Sequence, residues 1–407
     1  MINHFKNLLK KHSSLLIIIM GAGCFFISNI LFKISLDEQN YGVYSLIITY
    51  FSLIYIYGIL GFEQVFLRYS FIKKNGTIHT PKVNLIIIIL ASLFTSILYY
   101  IIFKAFYLEN YSSLLLYFAS YCIIISMPIF SILRLKGLFT IAQLLANYWK
   151  ILLLLISIYF LIFKISSIDL LINVLCCLII GCSIFLIMNT VKQFKFHYTS
   201  SIKKKTILQS FLFFFISITS FSIITFGDRF IIEQKIGLET LGTYFFLSNF
   251  LLAPYSILQN YIGFKQLVEY KEKINLKTLV NHVYSSTVLG LLLGLLLFVL
   301  VFLVEKMNLL QFEFHNYKKE MILFVILGII RLYSAVISPA FEVSTNLRML
   351  KLFNLTLILS TIIIAFVLFL LEKVTMNIVL FALILLWFIR TLTQHVLILK
   401  NKSLTHE

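Results

Sequence analysis

Residues 288 to 304, "VLGLLLGLLLFVLVFLV", carry no charged or hydrogen-bonding side chain. With its flanks this run reaches the roughly 20 residues that an α-helix needs to cross a hydrocarbon core, and "SLLIIIMGAGCFFISNILF" (14 to 32) does the same near the start of the chain. Many such runs in one chain leave a single broad class. The composition agrees: 60% of the 407 residues are hydrophobic and 12% charged, and the mean hydropathy is +0.99. These values describe a polytopic membrane protein. The runs are continuous rather than alternating, so they predict helices and not a barrel.

Hydrophobic runs read against polar breaks predict about twelve spans. They cover 14 to 35, 41 to 63, 83 to 103, 112 to 133, 138 to 163, 170 to 191, 207 to 232, 241 to 264, 280 to 304, 320 to 341, 352 to 371 and 376 to 399. The first follows Lys6, Lys10 and Lys11 but is too long for a signal peptide and has no small-residue cleavage site. With both termini in the cytoplasm, 22 of the 34 Lys and Arg fall in inner segments, 7 in outer ones and 5 within spans. That bias sets the expected orientation. It also accounts for the net charge of +18, which reads as an inner-loop signature beside anionic lipid and not as a nucleic-acid surface. The five cysteines all lie in apolar segments and read as small core residues. The eight histidines lack ligand spacing, so no metal site or cofactor is expected.

A shift of 200 residues lays "SLDEQNYGVYSLI" (35 to 47) over "KIGLETLGTYFFL" (235 to 247), with Gly42 on Gly242 and Tyr44 on Tyr244. A second echo pairs "PIFSILRLKGLF" (128 to 139) with "PAFEVSTNLRMLKLF" (339 to 353), matching Pro128 with Pro339. The copies are six spans apart, an even number, so the expected architecture is two six-helix lobes, 1 to 200 and 201 to 407, related by a parallel repeat.

"ISLDEQNYGVYSLIITYFSLIYIYGILGFEQVFLRY" (34 to 69) and, more closely, "DRFIIEQKIGLETLGTYFFLSNFLLAP" (228 to 254) resemble the signature of polysaccharide and O-antigen flippases. In the second copy Asp228, Arg229, Gly237, Glu239, Gly242 and Tyr244 occupy the family pattern, whereas Ser35 and Asp37 depart from it in the first. The resemblance implies the multidrug/oligosaccharidyl-lipid/polysaccharide exporter superfamily. It further implies a bacterial inner-membrane protein that moves undecaprenyl-diphosphate-linked glycans from the inner to the outer leaflet.

Charges inside spans are costly, about 2.5 to 3.5 kcal/mol each at mid-bilayer on insertion scales, so their depth ranks them. At about 1.5 Å per residue, Lys150 falls roughly 18 Å into its span, Arg331 roughly 17 Å and Arg390 roughly 21 Å. Gln143, Asn147 and Lys150 share one helical stripe, and Arg331, Ser334 and Ser338 share another. A cationic cavity follows, with Lys150, Arg331 and Arg390 holding an anionic lipid-linked glycan and Gln143 and Asn147 beside them. Leaving aside Glu320, the first residue of the tenth span, the cations Lys33, Lys150, Arg229, Arg331 and Arg390 within spans outnumber Glu63 and Asp228, a net of +3.

Asp228 and Arg229 are adjacent, so they point about 100° apart and are expected to look to different partners. Their depth places them near the outer rim, where Asp228 is the residue expected to couple transport to H+ or Na+. Lys33 and Glu63 read as span-end charges, and Arg68, Arg134 and Arg348 as positive-inside residues. Tyr41, Tyr44, Tyr99, Tyr100 and Tyr107 read as an interfacial belt.

Two other functions are weighed. A multidrug exporter of the same superfamily would favour anionic sites. A membrane glycosyltransferase or polymerase of lipid-linked sugars would use Asp37 and Glu38, but no outer connection exceeds about 15 residues and the pair reads more simply as a polar turn.

Overall fold

The computed structural model describes residues 2–73, 77–106, 114–192, 194–199, 204–272, 274–307, 310 and 312–400. The protein is an all-α polytopic membrane protein. Among the described residues, eleven helices are long and apolar enough to cross a membrane. Two compact units divide the chain, Met1–Ser222 and Ile223–Glu407. Tyr107, one of the expected belt residues, lies outside the described residues.

The first unit holds α1 (Ile2–Ser35), α2 (Glu38–Tyr57), α3 (Phe62–Tyr69), α4 (Lys82–Phe106), α5 (Leu114–Leu135), α6 (Phe139–Phe163) and α7 (Ile168–Val191). The boundary between units falls inside α8 (Lys204–Lys235), later than residue 200. The second unit continues with α9 (Leu238–Glu272), α10 (Leu276–Lys306), α11 (Lys318–Ser344), α12 (Leu347–Leu370) and α13 (Met376–Leu399). Side-chain caps start several of these helices: Asp37, Ser167, Asn275, Asn346 and Thr375 each accept a backbone N–H of the first turn. The Asp37 and Glu38 pair is thereby accounted for, since Asp37 caps α2 and Glu38 lies 3.7 Å from Lys33.

Burial explains why one expected span is missing from the eleven. The span expected over 41 to 63 is α2, which ends at Tyr57, and α3 then restarts at Phe62. Every residue from Tyr41 to Phe51 is buried, so for three turns α2 meets protein on all sides. An enclosed helix does not need a lipid-compatible surface and keeps its Ser, Thr and Tyr. By contrast α10 and α12 bare large apolar side chains, including Leu292, Leu295, Ile362 and Phe366, each about 60% exposed. Such faces fit hydrocarbon.

The break after α2 is built by backbone geometry. Leu60 and Gly61 both take positive φ, +56° and +75°. Thr95 on α4 donates to the Gly58 carbonyl freed there, at 2.5 Å. The first part of α8 packs along the break: Tyr57 bonds Thr219 at 2.7 Å before it, and Tyr69 bonds Ser210 at 2.7 Å after it. Between them a Cβ on Gly61 would lie 3.1 Å from the Phe214 carbonyl oxygen, so both conformation and space call for glycine. A small sheet adds to the helices, with β1 (Phe71–Ile72) antiparallel to β2 (Ile78–Pro81) and β2 parallel to β3 (Phe196–Thr199).

Three of the expected belt tyrosines are core residues instead. Tyr41 and Tyr44 are fully buried, Tyr99 is 6% exposed, and Tyr44 donates to Asn29 Oδ1 at 3.0 Å. Span-end position in the sequence does not distinguish a ring facing lipid headgroups from one packed between helices.

In the second unit Tyr255 locks α9 to its neighbours. Its hydroxyl donates to the Gly290 carbonyl on α10 at 3.0 Å, and its ring fills the space over Gly328 on α11. A Cβ on Gly328 would come within 2.5 Å of Tyr255 Cδ2. Gly328→Ala is therefore expected to destabilise the protein by about 1 to 3 kcal/mol through overpacking. Gly263→Ala, where the new Cβ meets nothing closer than 3.7 Å, is expected to be near neutral. Thermal unfolding midpoints in detergent check the pair; equal midpoints would remove the lock.

Candidate functional site: an arginine and indole cluster

Two polar stripes meet in the second unit. Arg331, Ser334 and Ser338 share one face of α11, and Trp387, Arg390 and Gln394 follow the same i, i+3, i+7 spacing on α13. Arg390 Nη1 donates to Ser334 Oγ at 2.8 Å, Ser334 and Ser338 hydroxyls lie 3.1 Å apart, and Ser338 donates to Gln394 Oε1 at 2.9 Å. Tyr333 and His395 bond beside this ladder.

The Trp387 indole, 1% exposed, sits against both arginines. The Arg331 guanidinium carbon is 4.9 Å from the ring centroid and that of Arg390 5.2 Å. A desolvated cation over indole gains about 2 kcal/mol, which offsets part of the cost of keeping it in an apolar helix bundle. Arg331 makes no hydrogen bond to any described residue, and its buried Nε has no partner. Its charge is met but its donors are unspent.

The Asp228 and Arg229 pair of α8 belongs to the same cluster. Asp228 is 9% exposed, and its Oδ2 accepts from the Tyr244 hydroxyl of α9. Its Oδ1 is buried without a hydrogen-bond partner among the described residues. The Arg229 guanidinium lies 4.9 Å from the Phe245 ring and 5.5 Å from that of Phe226. Both Arg229 and Arg331 lie within electrostatic reach of Asp228. Asp228 also lines a cavity of about 40 Å³ with Gly227, Thr361, Ala365 and Leu383 among its walls. Depth along a helix measures distance to the membrane surface, whereas the packing of α9 is what encloses Asp228. Tyr244 is the hydrogen-bond partner of the acid and aromatic rings flank the base, while the two charges also act on one another.

The sequence repeat sets neutral residues of the first unit against these charges. Tyr44 to Asn29 in the first unit is the counterpart of Tyr244 to Asp228 in the second, a bond between the same two helices of each repeat. Asn29 is the neutral version of Asp228, and Ile30 stands where the second unit has Arg229. Aligning Pro128 with Pro339 places Ser120 opposite Arg331, and aligning the caps Ser167 and Thr375 places Cys182 opposite Arg390 and buried Ile179 opposite Trp387. At these aligned positions the first unit carries neutral side chains where the second carries charges.

The other expected stripe, Gln143, Asn147 and Lys150, lies on α6 in the first unit. Lys150 Nζ donates to Asn147 Oδ1 at 2.9 Å, and Asn147 Nδ2 donates to the Gln143 carbonyl at 2.9 Å and to its side-chain oxygen at 3.3 Å. Gly21 lets α1 press onto this point, since a Cβ there would stand 2.8 Å from Asn147. One of the three ammonium donors of Lys150 is spent on Asn147. Lys150 and the two cluster arginines Arg331 and Arg390 therefore belong to different units, each with its own local support.

Trp387 and Tyr244 are the site residues that sequence reading passes over. A signal exists for the first: the chain has two tryptophans, and each neighbours a span cation, Trp149 beside Lys150 and Trp387 one turn before Arg390. No protein-family model matches the chain, and comparison with curated proteins and with solved structures found no match. Fold and site together define a multi-pass α-helical membrane protein with a buried, mainly cationic cluster in its second unit.

Proposed function

We propose that this chain is a flippase, which carries an undecaprenyl-diphosphate-linked oligosaccharide from the inner to the outer leaflet of a bacterial cytoplasmic membrane by alternating access. The observation that carries this reading is Arg331 and Arg390 held on Trp387, with the hydrogen-bond donors of Arg331 to spare. Guanidinium groups suit a diphosphate because they offer paired donors in a planar fork, and burial strengthens each contact. Lys150, with two donors beyond its bond to Asn147, supplies a point charge for the same class of ligand. The flippase-like stretch from Asp228 to Pro254 supports the reading from the sequence side. Transport of this kind needs no covalent chemistry and no cofactor.

Arg229, Arg331 and Arg390 against Asp228 and Glu233, the latter one turn beyond Arg229 on α8, leave this region one positive charge in excess, 3 minus 2. That sign favours an anionic substrate over the cationic compounds a multidrug exporter would take. Asp228 fits the role of ion-coupling residue. It is an enclosed carboxylate with one unpartnered oxygen, beside a cavity with room for a few waters, a proton carrier or a small cation such as Na+. The distribution of Lys and Arg supports a topology with both termini in the cytoplasm.

Proteoliposomes test the assignment. The purified protein is expected to accelerate leaflet exchange of an undecaprenyl-diphosphate-linked oligosaccharide and to leave a lipophilic cationic dye untouched. Dye transport without glycan-lipid exchange would reverse the assignment in favour of drug export.

A further inference from the structure

Trp387 is enclosed, so it is unavailable to stack on a sugar and acts only through what it touches, and it touches the two guanidinium groups. We infer that Trp387 is the positioning residue of the anion site and that a phosphate-type anion, on binding, draws Arg331 and Arg390 away from its ring. This inference rests on the anion-site reading proposed above.

The argument begins with what an indole supplies and what it leaves unsatisfied. Its π-face attracts a cation and orients the guanidinium plane, but it accepts no in-plane N–H hydrogen bond of normal strength. Arg331, with no hydrogen bond to any described residue, is therefore placed without its donors being consumed. Arg390 commits one nitrogen to Ser334, which is itself steadied by Ser338 and Gln394. Arg331 is thus charged, oriented and ready to donate, with Arg390 held beside it on the same ring. A phosphate oxygen satisfies the N–H groups that the ring does not, and charge-assisted bonds are the stronger kind, so the ligand competes with the ring.

The counterpart of Trp387 on α7 is Ile179, equally buried, so an aliphatic side chain fills the corresponding place in the first unit. Tryptophan is the aromatic residue with the strongest cation-binding face, and it carries no hydroxyl to capture an arginine donor.

The chain itself carries the reporter that tests this. With two tryptophans in the sequence, Trp149→Phe leaves Trp387 as the sole indole. The full-length Trp149→Phe protein in detergent is titrated with inorganic pyrophosphate and followed both by emission and by calorimetry. Expected are a saturable emission change whose midpoint equals the calorimetric Kd, a roughly tenfold or greater loss of affinity in Trp387→Leu, and its recovery in large part by Trp387→Phe. Calorimetric binding with silent emission, or with unchanged affinity in Trp387→Leu, overturns the positioning role and leaves the anion site standing. No calorimetric binding at all overturns both. If Trp387→Leu does not fold, the emission result and the Trp387→Phe affinity decide.

Discussion

The Arg331→Ala, Arg390→Ala double variant is expected to reach the membrane in normal amounts and to lose glycan-lipid flipping by a factor of 100 or more. Each guanidinium would give a bound diphosphate charge-assisted hydrogen bonds of about 1.5 to 3 kcal/mol, so losing both removes about 3 to 6 kcal/mol of binding. That converts to roughly 10² to 10⁴ in affinity. The fold should survive. Arg331 makes no hydrogen bond among the described residues, and Ser334 keeps Ser338 as a partner when Arg390 is removed. The first unit has Ser120 and Cys182 at the aligned positions, so its own helices pack with neutral residues there. Arg331→Lys is expected to retain part of the activity, since an ammonium keeps the charge but not the planar fork. Membrane yield, unfolding midpoint and flipping rate are measured on the same preparations. Normal flipping by a well-inserted double variant would remove the arginines from the substrate site.

The fold class was legible in the apolar runs because bilayer thickness imposes a length that few soluble helices combine with such composition. What those runs do not encode is which helix meets lipid. Residues 41 to 63 read as a span like the others, yet α2 is enclosed and broken at Gly58 to Gly61, and Tyr41, Tyr44 and Tyr99 point into protein. The stripes behaved better. Gln143, Asn147 and Lys150 form a bonded series because residues three and four apart on a helix must be neighbours, and Arg331, Ser334 and Ser338 line one face for the same reason.

Contacts between helices were harder to foresee. Nothing within residues 228 and 229 announces that Tyr244 will reach Asp228, or that Trp387, more than 150 positions away, will share a cluster with Arg331's neighbours. The repeat held that information in part. Tyr44 aligned with Tyr244 from the start, and once one tyrosine is seen to bond Asn29, its copy points to Asp228.

That pair of bonds also shapes the second large effect. Asp228→Asn is expected to fold as well as the parent, because Asn29 with Tyr44 demonstrates that an amide oxygen accepts the same buried tyrosine hydroxyl. What the change removes is the carboxylate charge facing Arg229 and Arg331 and the capacity to take up a proton or bind a cation. Flipping driven by an imposed H+ or Na+ gradient should therefore fall to the rate seen without a gradient, while downhill exchange persists. Asp228→Leu differs, since it also leaves the Tyr244 hydroxyl buried without its acceptor. It should cost about 1 to 3 kcal/mol of stability in addition. Rates in proteoliposomes with and without each gradient, set beside unfolding midpoints for the two variants, separate coupling from folding. An Asp228→Asn protein that still responds fully to both gradients would show that the coupling ion binds elsewhere and that the Asp228 carboxylate serves only to balance the arginines.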